Sequence, residues 1–452
     1  MDRKRDLLKS LKIFENRRVV VVGAGVSGLA ACRFLLSLGA TVRLVDAKAE
    51  LSADVLLKVT PNPAAAGLTL EAGPHTAAQF ADAQLVVLSP GVPVKKLAPV
   101  LADVEPWRVV AELEFASWFL DEPVIAITGT NGKTTTTTLV GHILRHAGLT
   151  PFVGGNIGTP LCDYLMQDVA ADVLVLEVSS FQLQNCRSFA PRVAALLNFS
   201  ANHLDYHADM EEYLSAKLNL FARQDHGCVA VAPQAMRAEL EARTFTRAQR
   251  DYFSADTDFD CPGLPGHHNR ENIAAAWRMV RPFGVTKAQA AAAIAAFQAL
   301  PHRIEPVAEA SGVLFVNDSK ATTLDSVAAA VRSFDRPVRL LMGGVFKGGN
   351  VADILPALKE KVVSVGLFGA SREVFEPVLA PHFPVSWDKT LEEAVRRQFG
   401  LAKSGDVVLL SPATASFDAY TSYTERGRDF ARVAAALMNE VGAAKNDAGV
   451  RA

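Results

Sequence analysis

The chain has 452 residues, half of them apolar, with 46 basic against 48 acidic side chains and a net charge of −2. That length suits about three domains of roughly 150 residues each, with enough chain for several buried cores. The near-balance of charge and the apolar content exclude a disordered chain and nucleic acid as the main ligand.

In chain order, residues 19–22 form a valine strand that breaks into Gly23-Ala24-Gly25-Val26-Ser27-Gly28. A helical pattern follows to about residue 38, and residues 41–45 make a second strand ending in Asp46. This is a βαβ unit with the dinucleotide fingerprint and an acid 18 residues after the last glycine. Such a loop and helix start hold a diphosphate, but nothing in these residues demands nicotinamide. The stretch also imitates a lipoprotein signal, since Arg17-Arg18 precede it and Leu29-Ala30-Ala31-Cys32 closes it. The three glycines suit a nucleotide turn better, and the run is too short and broken to span a membrane. Residues 85–88 are another buried strand, running into Ser89-Pro90-Gly91-Val92-Pro93, and the first block is expected to end near residue 95.

The second block opens with an apolar run, Ile125-Ala126-Ile127, that breaks into Thr128-Gly129-Thr130-Asn131-Gly132-Lys133-Thr134-Thr135 before a helical pattern. Strand, glycine turn, Gly-Lys-Thr and helix together describe a phosphate-binding loop. Backbone N–H groups and the helix N-terminus face phosphate oxygens, Lys133 reaches the β/γ-phosphates, and Thr134 can ligate Mg²⁺. Ile127 stands where the longer P-loop pattern has glycine. Residues 153–158 read as a flexible segment centred on Asn156, and residues 172–176 as a central strand delivering Glu177, placed to help hold Mg²⁺. The strand at 193–197 exits into Asn198, Asn202, His203 and Asp205, ahead of a helix from about 210 to 222 that carries Lys217. His268, Asn269 and Asn272 precede an alanine-rich helix, where the two asparagines suit either a purine edge or a helix cap.

The third block starts around Leu300-Pro301-His302-Arg303, after a helix near 287–298. Three buried strands empty into polar turns: 314–316 into Asn317-Asp318-Ser319-Lys320-Ala321-Thr322, 340–342 into Gly343-Gly344-Val345-Phe346-Lys347-Gly348, and 407–410 into Ser411-Pro412-Ala413. Parallel sheets place ligands at such ends. Beyond residue 442 the periodicity fades and a frayed tail is expected. The five cysteines, Cys32, Cys162, Cys186, Cys228 and Cys261, form no Cys-x-x-Cys pair, so a reducing, cytoplasmic setting fits better than zinc or disulfides.

Taken in order, the phosphate loop, Gly155-Asn156-Ile157-Gly158, Glu177-Val178-Ser179-Ser180-Phe181-Gln182, His203 with Asp205, Lys217, His268-Asn269 with Asn272, Pro301-His302-Arg303 and Asn317 to Thr322 resemble the Mur ligases of peptidoglycan synthesis. Ser89-Pro90-Gly91, Ser411-Pro412-Ala413-Thr414-Ala415-Ser416 and the early glycine turn look like the glutamate-adding member of that family. The resemblance spans essentially the whole chain.

It implies an α/β fold of three domains. Residues 1–95 would be a Rossmann-like UDP-binding domain, 96–299 a central P-loop-type ATPase domain, and 300–452 a C-terminal Rossmann-like domain for the incoming amino acid. The UDP-sugar would meet Gly25, Val26, Ser27, Asp46 and Gly91, with Asn156, Ser179 and Gln182 completing its site. ATP would lie on Gly129, Thr130, Asn131, Gly132, Lys133, Thr134 and Thr135, bordered by Asn269, Asn272, Arg303 and Asp318. Thr134, Glu177 and His203 would hold Mg²⁺, joined by Lys217 if carbamylated, and Lys133, Glu177, His203 and Lys217 would carry catalysis. D-Glutamate would meet Lys320, Thr322, Lys347, Ser416 and Tyr423. Two departures stand out: Phe346 replaces an acid of the family's Gly-Gly-x-Asp-Lys-Gly turn, and Tyr423 stands where phenylalanine is frequent.

The implied reaction uses ATP and Mg²⁺ to activate the carboxylate of UDP-N-acetylmuramoyl-L-alanine as an acyl phosphate, which the amine of D-glutamate then attacks. The enzyme is expected to be a cytoplasmic monomer without membrane insertion, its third domain closing over the second about a hinge near residues 299–303. Other readings are a sister Mur ligase, a folylpolyglutamate synthase, or a nucleotide-dependent switch. An NAD-dependent oxidoreductase would leave Gly132-Lys133-Thr134 idle. The Asp-Asn-Pro-Arg turn of the diaminopimelate-adding relative is absent from the third block.

Overall fold

In the computed structural model the described residues are 12–168, 170–202, 206–255, 258–264, 266–298, 300–346 and 348–450, with side chains described to 442. They build three sheets. The first holds β1 (Arg18–Val22), β2 (Thr41–Asp46), β3 (Leu68–Ala72), β4 (Leu85–Leu88) and β5 (Val109–Ala111), all parallel, in the order β3-β2-β1-β4-β5. The second holds β6 (Val124–Thr128), β7 (Pro151–Gly155), β8 (Val173–Glu177), β9 (Val193–Leu196), β10 (Val229–Pro233) and β11 (Gln249–Phe253), also parallel, in the order β11-β10-β9-β6-β8-β7. The third holds β12 (Glu305–Ala310), β13 (Val313–Asn317), β14 (Val338–Gly343), β15 (Val362–Phe368), β16 (Val385–Asp388) and β17 (Val407–Leu410), in the order β12-β13-β17-β14-β15-β16, with only β12 antiparallel.

The apolar strand runs follow from this layering. In β1, Val19 and Val21 pack into one core with Phe34 and Leu35 of helix α1 (Val26–Ser37), while Val20 and Val22 pack into another with Val86 and Leu88. Successive side chains point to opposite faces, and a parallel sheet covered on both sides needs apolar residues on each. Each fully buried valine contributes roughly 1.5–3 kcal/mol.

The chain divides into two compact units. One runs to residue 260 and resumes at 271–295, with the first two sheets; the other comprises 261–270 and 296 onward, with the third. Specific contacts join the first two sheets into one unit. Arg33 of α1 makes a bidentate pair with Asp163 at 2.8–2.9 Å, the buried Glu112 carboxylate accepts the Cys162 N–H at 2.8 Å, and the Tyr206 hydroxyl donates to the Val92 carbonyl at 3.2 Å.

Three expectations change. Because β5 pairs with β4, the first sheet extends beyond residue 95 to residue 111, through a three-residue strand too short to carry a pattern. The segment around Asn156 begins as edge strand β7, whose two glycines conceal it in the sequence. The helix carrying Lys217, α3 below, ends at Leu218 rather than near 222, and the last helix continues to Val450 beyond the loss of its apolar stripe. Helices used below are α2 (Lys133–His146), α3 (Met210–Leu218), α4 (His267–Val280) and α5 (Tyr423–Val450).

Candidate active site

β6 delivers the phosphate loop to the middle of the second sheet, between β9 and β8, the position where parallel α/β sheets bind ligands. Gly129 (φ 154°) and Gly132 (φ 79°) take conformations that other residues avoid. A Cβ on Gly132 would lie 2.5 Å from the Asn272 Oδ1, so Asn272 is packed directly against the loop. Asn198 holds the other side: its Oδ1 accepts the Asn131 N–H at 2.8 Å, its Nδ2 donates to the Asn131 carbonyl at 3.1 Å, and its carbonyl accepts the Thr130 N–H at 3.2 Å. The loop is therefore shaped by the protein, with the positive end of α2, which has no acid in its first turn, directly after it. Lys133 Nζ donates to the carbonyls of Gly129 and Thr130, each at 2.9 Å, while Thr134 and Thr135 follow in the first helical turn.

Glu177 ends β8 and is almost wholly buried. Its Oε2 accepts the Thr134 hydroxyl at 2.7 Å and its Oε1 accepts Asn156 Nδ2 at 2.9 Å, while the Asn156 N–H donates to the Glu177 carbonyl at 2.8 Å. A hydroxyl and a carboxylate beside a phosphate loop are the hard oxygen donors that magnesium takes, so this pair fits the ion. His203 lies outside the described residues, and among the described residues no group of three or more His, Cys, Asp or Glu could hold a metal.

Lys217 rises from α3 with 1% of its surface exposed. Its Nζ donates to the Gly129 carbonyl at 2.9 Å and sits 4.4 Å from the centre of the Tyr213 ring. Burial first, and neighbouring Lys133 second, hold its amine well below the usual lysine range.

In the first sheet, Gly23 (φ 94°) and Gly28 close the turn after β1. A Cβ on Gly28 would fall 1.9 Å from the Gly23 carbonyl oxygen and 2.5 Å from Ser89 Oγ, which itself donates to that carbonyl at 2.8 Å. Gly25 and Val26 stand exposed at the start of α1, with Ser27 half-buried and Gly91 in a left-handed turn after β4. Asp46 is already engaged, Oδ2 accepting the Ala24 N–H at 2.8 Å and Oδ1 the Lys48 N–H at 2.9 Å. Ser179 and Gln182 form a capping box with each other, Gln182 Oε1 accepting the Ser179 N–H at 3.0 Å. Among the described residues, no hydrogen bond ties this pair to the glycine turn.

In the second unit, Asp318 is buried at the end of β13, where Oδ2 accepts the Ser411 hydroxyl at 2.9 Å and Oδ1 the Ile304 N–H at 3.3 Å. Burial pushes its carboxyl up to about 7, against these bonds and the nearby Arg303. Lys320 Nζ lies 5.3 Å from the Tyr423 ring centre, and Ser319 Oγ donates to the Tyr423 carbonyl at 2.8 Å. Ser416 is buried and Thr322 half-buried, while Lys347 lies outside the described residues. Asn269 and Asn272, three apart on α4, are both buried.

Three family descriptions match the chain in order: the Mur ligase MurD-like N-terminal domain at residues 17–107, the Mur ligase middle domain at 127–258, and the Mur ligase glutamate ligase domain at 302–414. The chain is 52% identical over 426 residues to the UDP-N-acetylmuramoylalanine--D-glutamate ligase of Oleidesulfovibrio alaskensis, covering 93% of this chain and 94% of that one. It is likewise 52% identical over 412 residues to the enzyme of that name from Nitratidesulfovibrio vulgaris strain DP4, covering 91% and 94%. The protein belongs to the Mur ligase family. Its fold is shared with the solved MurF ligase of Thermotoga maritima in complex with ADP, at 18% identity and a TM-score of 0.57, covering 95% of this chain and 99% of that one.

Two features of this Mur ligase escape motif reading. Tyr213 lies four residues before Lys217 on one helix face, and its hydroxyl is 3.4 Å from Thr130 Oγ1; the i,i+4 spacing was the available signal. Phe346, the departure from the family's acidic turn, packs edge-on against Phe375 at 5.2 Å and fixes its turn to the core by apolar contact.

Proposed function

We propose that this Mur ligase joins D-glutamate to UDP-N-acetylmuramoyl-L-alanine at the expense of ATP, forming an amide and releasing ADP and phosphate. The observation that carries the reading is the 52% identity, over nine-tenths of the chain, to relatives named for that reaction. The site supports it. A carboxylate is a poor electrophile until one oxygen becomes a leaving group, and a phosphate loop with an acid-bearing neighbouring strand suits that activation.

The loop N–H groups, the end of α2 and Lys133 would bind the triphosphate and meet the charge that spreads over the γ-phosphoryl during transfer. Magnesium, when bound, would be held by Thr134, Glu177 and phosphate oxygens and would neutralise part of that charge. The alanyl carboxylate forms a bond to the γ-phosphorus as the bond to the ADP oxygen breaks. The amine of D-glutamate then bonds to the acyl carbon, loses a proton and expels phosphate. Lys217, with its amine pushed toward the neutral form, is suited to add carbon dioxide and become a carbamate, an anionic oxygen donor beside the loop. Asn269, Asn272, Arg303 and Asp318 are assigned to ATP, and Lys320, Thr322, Lys347, Ser416 and Tyr423 to D-glutamate. Gly25, Val26, Ser27, Asp46, Gly91, Asn156, Ser179 and Gln182 are assigned to the nucleotide sugar. Since Asp46 already accepts two backbone N–H groups, its contribution there includes holding the turn in shape. We divide the labour among three domains, the first extended past β5, and place the enzyme in the cytoplasm as a monomer. Among the described residues, no helix is long and apolar enough to cross a membrane.

The test is phosphate release with ATP, UDP-N-acetylmuramoyl-L-alanine and a panel of amino acids. Release that depends on D-glutamate is expected; release with none of the panel refutes the ligase reading.

A further inference from the structure

Arg426, in the first turn of α5, is fully buried and is the largest such side chain among the described residues. Its Nε donates to Ser319 Oγ at 3.0 Å, and its Nη2 to the carbonyls of Ser319 at 2.9 Å and Thr414 at 3.0 Å. Its Nη1 reaches the Gly343 carbonyl at 3.2 Å, Thr414 Oγ1 at 3.3 Å and the Ala415 carbonyl at 3.4 Å. Every one of these acceptors is neutral. A guanidinium buried for stability alone is better served by a carboxylate. The nearby acid, Asp418, is exposed, and its Oδ2 accepts the Ala370 N–H at 3.1 Å. Burial lowers the Arg426 guanidinium to about 10, which leaves it charged at neutral pH.

The acceptors are the exits of β13, β14 and β17. Ser319 precedes Lys320, Ala415 precedes Ser416, Gly343 opens the turn toward Lys347, and Tyr423 lies three residues before Arg426 on the same helix. Peptide planarity adds a directional effect. A carbonyl turned toward Arg426 turns the following N–H away from it, so the N–H groups of Gly344 and Ser416 face the opposite side. Gly344 (φ 129°) allows this approach only as glycine, because a Cβ would lie 2.2 Å from the Ala415 carbonyl oxygen and 3.0 Å from Arg426 Nη1. Outward N–H groups backed by a buried cation whose hydrogen bonds all go to neutral acceptors make an anion-binding surface.

We infer that Arg426 is a positioning residue for the incoming amino acid: it fixes the three strand exits around one buried positive charge and so selects a dicarboxylate over a neutral amino acid. This rests on the reading that the third sheet's exits receive D-glutamate. The experiment compares Arg426→Met, which keeps bulk and loses charge, with Arg426→Lys, which keeps charge and loses the fork. Phosphate release is measured with D-glutamate varied at saturating ATP and nucleotide sugar, then with each of those varied in turn, alongside melting curves. The methionine variant should raise the KM for D-glutamate at least tenfold while the KM values for ATP and nucleotide sugar stay within twofold, and lysine should recover much of the loss. If the methionine variant does not fold, the lysine variant decides, with a smaller rise confined to the KM for D-glutamate expected. An unchanged KM for D-glutamate, or an equal change in all three, overturns the inference. Should wild-type turnover require a different amino acid, the D-glutamate reading fails separately, and the Arg426 role is judged by the KM for that amino acid.

Discussion

Replacing Lys217 with methionine should stabilise the protein while abolishing ligation. The Lys217 amine makes one described hydrogen bond, to the Gly129 carbonyl, and that oxygen also accepts Lys133 Nζ at 2.9 Å. Losing the amine therefore forfeits about 1 kcal/mol for one bond and leaves no carbonyl orphaned. Against this, burying a polar group with so few partners costs about 1–3 kcal/mol, and methionine fills the space over Tyr213 without that cost. The balance favours the variant by about 1 kcal/mol, or about 1–2 °C in melting temperature for a unit of this size. Calorimetry in bicarbonate-free buffer, without nucleotide, compares the free amine with the thioether; phosphate release is measured in parallel. A variant that melts several degrees lower would show that Lys217 is held for structure, and retained turnover would remove it from the chemistry.

Lys133→Ala should eliminate phosphate release while changing the melting temperature little, because the two described hydrogen bonds of its amine go to carbonyls of its own loop; persisting release would sink the phosphate-loop assignment. Glu177→Gln should raise the magnesium concentration needed for half-maximal turnover and lower kcat by about 10²-fold, and an unchanged magnesium titration would exclude Glu177 as a ligand. Gly28→Ala must open the turn around the Gly23 carbonyl and should cost about 2–3 kcal/mol, with weaker UDP-sugar binding by titration calorimetry; intact binding would contradict the turn's assignment. Asp318 binds its proton more tightly folded than unfolded, so its contribution is complete below its ordinary value of 3.8 and is lost as pH rises to about 7. That gap is worth on the order of 4 kcal/mol, so Asp318→Asn should flatten the fall in melting temperature between pH 4 and 8, and an identical profile in the variant would refute the burial argument.

Much of the fold is legible because the central strands must be apolar on both faces. β1, β4, β8, β9 and β17 are buried along nearly their whole length and read directly as valine, leucine and alanine runs. The edges are a different matter. β3 (Leu-Thr-Leu-Glu-Ala), β11 (Gln-Arg-Asp-Tyr-Phe) and β12 (Glu-Pro-Val-Ala-Glu-Ala) each close a sheet and keep mostly partly exposed residues, so no apolar run marks them, and only β3 shows a short alternation. β15 (Val362–Phe368) follows the same rule as the central strands, buried at all but one position.

The site divides along a similar line. Motif spacing exposes Lys133, Thr134, Glu177 and Asp318, each beside a strand end that the sequence itself marks. It cannot expose relations that need sheet order, such as Asn156 reaching Glu177 because β7 lies beside β8, or Arg426 gathering three exits from a distant helix. Hydrogen-bond partners, rather than burial, distinguish groups proposed for chemistry from groups kept for the fold. Glu114 is as buried as Glu177, yet it accepts the N–H groups of Arg187, Ser188 and Phe189 and acts as a latch saturated by backbone donors. Lys217 donates one described hydrogen bond and Arg426 donates only to neutral acceptors, so neither has a carboxylate partner in the fold, and burying them works against stability. Each reaches from a helix to a carbonyl at the C-terminal end of a parallel strand, Lys217 to that of Gly129 after β6 and Arg426 to that of Gly343 at the end of β14. The unfavourable burial of these two basic groups is the observation on which their proposed roles rest.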